Sequence, residues 1–185
     1  MLNATLISTI TQKTLAFFCL HPDLKFHGRE TARKMNLRHA SVQRSIKALE
    51  KKGILSSERK GKMIFYQLDE SRPLIRQYKT MALLCALEPL LSKLRKITDQ
   101  IILYGSSANG KFLSDSDVDI LIVTSHPKKV EAALFSFRKT FAKEIRPVIT
   151  SLAEWMDYEK KDPVFYNEVT RGLLLHQSEY YESRV

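Results

Sequence analysis

Two acidic residues, Asp117 and Asp119, are separated by one residue and follow the pair Gly105-Ser106 after ten intervening residues. Side chains alternate faces along a strand, so both carboxylates would project from the same face. Two like charges held that close repel each other unless a cation lies between them, and Mg²⁺ prefers carboxylate oxygens. A Gly-Ser turn between a strand and a short helix offers backbone N–H groups and a hydroxyl to phosphate oxygens. Together these residues predict metal-assisted chemistry on a phosphate chain.

The segments on either side of these residues indicate that they belong to a folded site. Residues 100–104 and 118–123 are apolar runs of the kind found in buried strands. The alternative is a tight surface turn that leads into a solvated acidic loop. The apolar flanks favour the buried strands, which would hold the turn and the aspartates at the same end of a sheet.

The string G-S-S-A-N-G, five residues, then S-D-V-D, at residues 105–119, resembles the motif of the minimal nucleotidyltransferases of the polymerase-β superfamily. An arginine commonly stands where this chain has Asn109. The resemblance extends over the C-terminal half and implies an α/β domain with a small mixed sheet. It also implies that Asp117 and Asp119 bind Mg²⁺ and that a nucleoside monophosphate passes from a nucleoside triphosphate, expected to be ATP, to an unknown acceptor. The nucleotide-binding residues that it implies are Gly105, Ser106, Ser107 and Asn109.

The chain departs from this family at the third carboxylate, which active members place on the strand that aligns with residues 144–149. Arg146 stands at the aligned position, and Glu144, two residues earlier, would share its strand face. We therefore take Asp117, Asp119 and Glu144 as the candidate catalytic residues. An arginine beside the aspartates would repel a second metal ion and could pair with either of them. The alternative hypothesis is a regulator with an impaired domain that senses a nucleotide or, like an antitoxin, docks a partner protein.

Residues 1–70 carry most of the net positive charge, with 13 Lys/Arg against 6 Asp/Glu. Apolar spacing predicts helices at 5–19, 28–36 and 39–52, followed by strands at 54–58 and 63–68 around a basic turn. This order resembles a winged helix-turn-helix regulator over residues 5–70. The resemblance implies binding to double-stranded DNA, with the third helix in the major groove and the turn on phosphates. The predicted DNA-binding residues are Arg38, Gln43, Arg44, Lys47, Arg59, Lys60 and Lys62.

We therefore expect an α+β protein of two domains. The predicted parts are a winged helix at 1–70, a connecting helix at 71–96 that Pro89 kinks or divides, and the nucleotidyltransferase-like domain at 97–185. In that last part we expect a helix at 126–143 and a strand at 144–149. Helices at 151–160 and 163–172 and a short strand at 173–176 complete it. A homodimer is expected, because such regulators often bind two half-sites.

The composition excludes several other classes of protein. No apolar run approaches the length of a membrane span, and residues 2–20 are too polar for a signal peptide. Histidine and cysteine show no zinc-like spacing, and the two cysteines are expected to be free thiols. We therefore expect a cytoplasmic protein with no membrane partner.

Overall fold

The computed structural model describes residues 6–178, and its backbone divides into two compact units, Met1–Cys85 and Ala86–Val185. The start of the first predicted helix, at residue 5, lies outside the described residues. The elements in chain order are α1 Ile10–Leu20, β1 Phe26–His27, α2 Gly28–Lys34, α3 His39–Lys51, β2 Leu55–Lys60, β3 Met63–Leu68, α4 Pro73–Leu94, β4 Gln100–Leu103, α5 Gly105–Ala108, β5 Val118–Val123, α6 Pro127–Arg138, β6 Ile145–Thr150, α7 Leu152–Lys161, α8 Pro163–Thr170 and β7 Leu173–Gln177. The predicted domain boundaries at residues 70 and 96 stay predictions.

The helices of the first unit pack on one apolar core, and α3 does so through a single stripe of side chains. On α3 this stripe is Val42, Ile46 and Leu49, which are at most 3% exposed. The sequence periodicity predicted the same three residues. The opposite side of α3 is solvent-facing, so the cations of this helix remain available to a ligand.

A small antiparallel sheet, in the order β1-β3-β2, completes the first unit. The predicted hairpin is confirmed, but β2 continues through Lys60 and leaves a tighter turn at Gly61 and Lys62. Gly61 adopts a φ of 61°, which glycine tolerates because it has no Cβ. The two-residue strand β1 was not predicted, since two residues show no periodicity. It pairs with β3 and ends at His27, whose ring accepts a hydrogen bond from the N–H of Glu30 at the start of α2.

The long helix α4 runs through Pro89 without division, so of the two expected effects of this proline the division is wrong and the kink stays a prediction. Proline removes one backbone hydrogen bond from a helix interior. The residues around it, Leu87, Leu90 and Leu91, are at most 2% exposed, so burial of the flanking leucines offsets that loss.

The sheet of the second unit has the order β6-β5-β4-β7, with β4 antiparallel to both neighbours and β5 parallel to β6. The predicted small mixed sheet is therefore confirmed. The strand predicted at 173–176 is its edge strand β7. The antiparallel pair brings the end of β4 to the start of β5, since Leu103 lies opposite Ile120. This juxtaposition sets the position of the Gly-Ser turn relative to the aspartates.

Helices α7 and α8 cover one face of this sheet through an aromatic cluster. Trp155 is 3% exposed and packs with Tyr158 and Tyr166, while Phe165 lies edge-on to Tyr104. These rings belong to the core and not to a surface that stacks on bases.

The helix predicted to extend to residue 143 ends instead at Arg138. Its guanidinium donates to the carbonyl of Ile145 at 2.7 Å, and the buried Lys143 donates to the carbonyls of Leu113 and Ser114. The segment after Arg138 is therefore a loop that leads into β6.

Among the helices of residues 6–178, none has the length and apolarity that a membrane crossing requires.

Gly172 lies where α8 meets the sheet, and we predict that Gly172→Ala destabilises the protein. A Cβ there would lie 2.5 Å from the carbonyl oxygen of Leu103 and 2.8 Å from that of Val169. Backbone atoms cannot move aside cheaply, so we expect a loss of about 1–3 kcal/mol in the free energy of unfolding. Thermal unfolding followed by circular dichroism measures it.

Gly61→Ala provides the matched control. Its Cβ would meet no atom within 4 Å, so only the left-handed backbone opposes the substitution, at a cost of about 1 kcal/mol. An equal or smaller loss for Gly172→Ala than for Gly61→Ala would contradict the close packing of α8 on β4.

Candidate functional site

The Gly-Ser turn and Asp119 are in direct proximity because β4 and β5 are antiparallel neighbours. The N–H of Tyr104 donates to the carbonyl of Asp119 at 3.1 Å, which fixes the chain just before the turn. Gly105 has a φ of 66°, and a Cβ at this position would lie 2.8 Å from the carboxylate oxygen Oδ2 of Asp119. Glycine is therefore required twice, by its backbone conformation and by the approach of the carboxylate.

The predicted nucleotide-binding residues take different positions in the structure. Ser106 and Asn109 line a cavity beside the turn, and the side chain of Asn109 donates to the carbonyl of Gly105 at 3.3 Å. Ser107 is buried, and its hydroxyl donates to the carbonyl of Asp117 at 3.2 Å. Ser107 thus braces the loop that carries Asp117, and its predicted contact with a nucleotide has no support from this geometry.

Arg146 lies beside the aspartates because β6 is parallel to β5 and places it opposite Asp119. Its guanidinium Nη2 is 2.8 Å from Oδ2 of Asp117, so it pairs with the first of the two carboxylates. The Arg146 side chain is 63% exposed, whereas that of Asp117 is 22% exposed. The pairing that the sequence left open between the two aspartates is therefore made with Asp117.

Glu144 comes just before β6, where its carbonyl accepts a hydrogen bond from the N–H of Val118 at 2.8 Å. Within residues 6–178, no group of three or more carboxylate, histidine or cysteine side chains is arranged to hold a metal ion. The structure therefore brings Asp117 and Asp119 together without Glu144. A catalytic role for Glu144 stays a prediction from the sequence.

Burial and like charges raise the pKa of Asp119. Burial is the largest cause, and the neighbouring Asp117 and Glu168 add to it, while Arg146 opposes it. Burial also raises the pKa of Tyr104 to about 12, with a further contribution from Asp119. The site is thus negatively charged, and the positive charge of Arg146 offsets only part of that negative charge.

The donors at the predicted metal site do not fit Mg²⁺ as they are arranged. Magnesium requires near-octahedral oxygen coordination, and Asp117 already pairs with a guanidinium that a metal ion would have to displace. The two carboxylates by themselves are the right chemical type. The obstacle is the Arg146 cation that pairs with one of them.

The cavity beside the turn has a volume of about 540 Å³ and brings together two distant parts of the second unit. Its lining residues are Gly105, Ser106, Ala108, Asn109, Lys111, Val164, Asn167, Glu168, Arg171 and Gly172. Lys111, Asn167, Glu168 and Arg171 were not among the residues predicted from the sequence. Lys111 is the first of the five residues between the two parts of the motif and could have been considered. The other three lie on or next to α8, which no sequence signal connects to the turn.

The first unit has a second cavity, of about 460 Å³, between α3 and the β2–β3 hairpin. It brings together three of the predicted DNA-binding residues, Gln43, Lys47 and Lys62, with the additional basic residue Arg29. The remaining predicted residues, Arg38, Arg44, Arg59 and Lys60, are exposed but do not line it.

Several contacts hold the lining of this cavity in place. The Gln43 amide donates to the Tyr66 hydroxyl at 3.4 Å, and its oxygen lies where a Cβ on Gly28 would be. Lys47 pairs with Glu50 at 2.9 Å, and its ammonium lies 5.5 Å from the centre of the Tyr66 ring. The hydrogen bond to Glu50 is the main cause of the raised pKa of Lys47.

We predict that Asp119→Asn stabilises the protein at neutral pH. A folded-state pKa above the ordinary value of 3.8 means that ionisation of Asp119 costs more in the folded state than in the unfolded state. This cost is absent below the unfolded pKa and grows as the pH rises through the folded pKa. The thermal midpoint of Asp119→Asn should therefore exceed that of the native protein at pH 7 but not at pH 3.

The matched control is Asp115→Asn, an exposed aspartate in the loop before β5, whose midpoint should equal the native one at both pH values. A lower midpoint for Asp119→Asn at pH 7, or an equal gain at both pH values, would contradict the burial of this carboxylate.

Comparison with known proteins gives a family for the second half of the chain. The nucleotidyltransferase domain model matches residues 84–175. A search of curated proteins found no match. A possible transcriptional regulator from Methanosarcina mazei Go1 is 20% identical with a TM-score of 0.33, and the alignment covers 50% of this chain and 82% of that one. A candidate nucleotidyltransferase from Sulfolobus solfataricus is 15% identical with a TM-score of 0.38, covering 60% and 95%.

The likeness to these two solved structures is too low to define a shared fold. The family match stands on the sequence itself, and it includes the turn, the aspartates and the strands that carry them. Residues 84–175 of this chain therefore form a nucleotidyltransferase-family domain.

Proposed function

We propose that this protein is a DNA-binding regulator whose nucleotidyltransferase domain binds a nucleoside triphosphate, with ATP as the proposed ligand, and senses it without transferring a nucleotidyl group. The observation that carries this proposal is the ion pair between Arg146 and Asp117, at 2.8 Å. A guanidinium at this place supplies the positive charge that a metal ion would otherwise supply beside the phosphates.

Binding of a nucleotide is supported by the cavity next to the Gly-Ser turn. Its volume of about 540 Å³ lies within the range of ~300–1,000 Å³ that small-molecule sites occupy. Ser106 offers a hydroxyl there, and the close approach of Gly105 to Asp119 keeps the turn in one conformation. A polyphosphate chain could therefore lie along the turn with little rearrangement of the backbone.

Nucleotidyl transfer needs charge neutralisation at the reacting phosphate and a group that activates the acceptor hydroxyl. A bound Mg²⁺ ion would supply the first of these. Within the described residues, no third carboxylate joins the two aspartates in a group that could hold a metal ion. Arg146 forms an ion pair with one of the two, Asp117. The arrangement supports binding of a triphosphate better than it supports chemistry on it.

The DNA-binding half of the proposal rests on the first unit, which we interpret as a winged helix. Its order of helices and strands, with the hairpin β2–β3 next to α3, suits an α3 helix in the major groove and a hairpin on the backbone. Arg44 and Lys47 lie on the exposed side of α3, and Gln43 has an amide that can pair with an adenine edge. The cations of the hairpin, Arg59, Lys60 and Lys62, would add contacts with phosphates.

A second candidate function is Mg²⁺-dependent transfer of a nucleoside monophosphate to an unknown acceptor. One observation favours it: the Arg146 side chain is 63% exposed and has room to leave Asp117. Asp117 and Asp119 would then be free to hold the ion from a single strand face.

The oligomeric state and the partners are further parts of the proposal. A homodimer would let the protein bind two DNA half-sites, as is common for regulators with this arrangement of helices. A partner protein that docks on the nucleotidyltransferase domain, as in an antitoxin, remains the alternative to nucleotide sensing.

For the DNA-binding surface, we predict that Arg44→Ala combined with Lys47→Ala weakens binding to duplex DNA. Removal of two phosphate-neutralising cations should lower the slope of log affinity against log salt by about two. Gel-shift titrations at several salt concentrations measure both the affinity and the slope. The control is Lys13→Ala with Arg76→Ala, which removes two exposed cations of the same unit that lie outside the proposed surface. Equal affinity and slope for both double variants would contradict the assignment of α3.

For the nucleotide site, we predict that the native protein binds ATP in EDTA and that Arg146→Ala weakens this binding roughly three- to tenfold, as expected for a partly exposed charge contact. Mg²⁺ should restore binding to Arg146→Ala, because the aspartates are then unpaired. Adding Asp117→Asn and Asp119→Asn should abolish that restoration. Isothermal titration calorimetry measures each case, with the exposed Lys160→Ala as control.

The same proteins distinguish sensing from transfer. Incubated with radiolabelled ATP, Mg²⁺ and candidate acceptors, the native protein should attach no label. Label that appears with the native protein and disappears in the double aspartate variant would overturn the sensor proposal and establish the second candidate function.

A further inference from the structure

The cavity beside the Gly-Ser turn is lined by two cations that come from distant parts of the chain. Lys111 follows the turn, and Arg171 follows α8, and both side chains are exposed to solvent. Asn109 lines the same cavity, but its amide carries no charge and donates to the carbonyl of Gly105. Positive charge among these lining residues therefore comes from Lys111 and Arg171.

Lys111 is held against the turn by its backbone. Its N–H donates to the carbonyl of Ser106 at 3.0 Å, and the preceding Gly110 adopts a φ of 64° that reverses the chain. The Lys111 backbone is therefore fixed next to Ser106, while its long side chain keeps the freedom to reach a ligand in the cavity. A lysine in this place acts as a mobile point charge for phosphate.

Arg171 is held beside the cavity by its neighbour Gly172. Gly172 packs so closely on Leu103 that an added Cβ would lie 2.5 Å from the Leu103 carbonyl oxygen. Because Leu103 is the last residue of β4, Arg171 stands beside the strand that leads into the Gly-Ser turn. A guanidinium here can form paired hydrogen bonds with two phosphate oxygens.

The acidic groups of the site determine where the terminal phosphates of a bound nucleotide would lie. Glu168 lines the cavity too, and it lies close enough to Asp119 to help raise the pKa of that carboxyl. The carboxylates Asp117 and Asp119 are at the strand end, where Arg146 pairs with one of them. These carboxylates would repel the terminal phosphates, which carry the most negative charge, so the terminal phosphates would lie at Lys111 and Arg171 and the inner phosphates would lie nearer to Arg146.

We infer that Lys111 and Arg171 bind the terminal phosphates of the nucleotide, so that the cavity selects a triphosphate over a monophosphate. This inference rests on the proposed nucleotide binding and adds the residues that distinguish one nucleotide from another. It also extends to inorganic tripolyphosphate, which has the same terminal phosphates and no base.

The test uses calorimetric titration of the full-length protein with ATP, AMP and inorganic tripolyphosphate, in EDTA so that Mg²⁺ does not screen the phosphates. Lys111→Ala and Arg171→Ala should each weaken ATP and tripolyphosphate binding by about 10–100-fold, the range for a hydrogen bond to a charged group. AMP affinity should change less than about twofold, since AMP lacks the terminal phosphates. The control is Lys128→Ala, an exposed lysine of α6 that does not line the cavity.

The possible results distinguish failure of the role given to Lys111 and Arg171 from failure of the proposed nucleotide binding. Native binding of ATP that survives both substitutions, or an equal loss for AMP and ATP, overturns the role of Lys111 and Arg171 and leaves nucleotide binding intact. If the native protein binds tripolyphosphate through these residues but prefers it to ATP, the terminal-phosphate contacts stand and the proposed nucleotide ligand is wrong. Native protein that binds neither compound overturns both proposals. Unchanged circular dichroism spectra establish that the variants are folded.

Discussion

The carboxylates of Asp117, just before β5, and Asp119, on β5, repel each other, and in this protein a guanidinium from the neighbouring strand relieves that repulsion. The parallel pairing of β5 with β6 places Arg146 opposite Asp119 and within 2.8 Å of an oxygen of Asp117. Asp119 receives less of this relief, and burial with nearby negative charge keeps its pKa raised. The chemistry available to the domain depends on this balance, because any cation that enters must compete with Arg146.

The carboxylate of Asp119 also explains why the Gly-Ser turn begins with a glycine. Gly105 is confined by Asp119 on one side, and Gly172 is confined by the end of β4 on the other. These two contacts place the turn and the end of α8 at fixed positions around one cavity. The proposed nucleotide would therefore enter a cavity whose backbone is already in place, which limits the conformational entropy lost on binding.

In the first unit, too, a glycine and a hydrogen bond hold the residues that line the cavity in place. Gln43 is oriented by the Tyr66 hydroxyl and by the absence of a side chain at Gly28, so a helix residue and a strand residue define one surface. Acidic neighbours temper the basic charge of this unit, as Glu50 does for Lys47 and Glu58 does for Lys25 and Lys60. The number of cations in this unit is therefore larger than the net positive charge that it presents to a ligand.

The sequence by itself determined the elements that rest on local pattern. The apolar stripe of α3, the strands around the aspartates and the family motif were all evident, because they depend on spacing within a few residues. The strand β1 and the early end of α6 were missed, because pairing with β3 and the contacts of Arg138 and Lys143 decide them. Only the tertiary structure decided that Arg146 pairs with Asp117 and that Arg171 and Lys111 line one cavity. Strand register and helix packing bring these residues together, and neither can be read from residues that lie 29 and 60 positions apart in the chain.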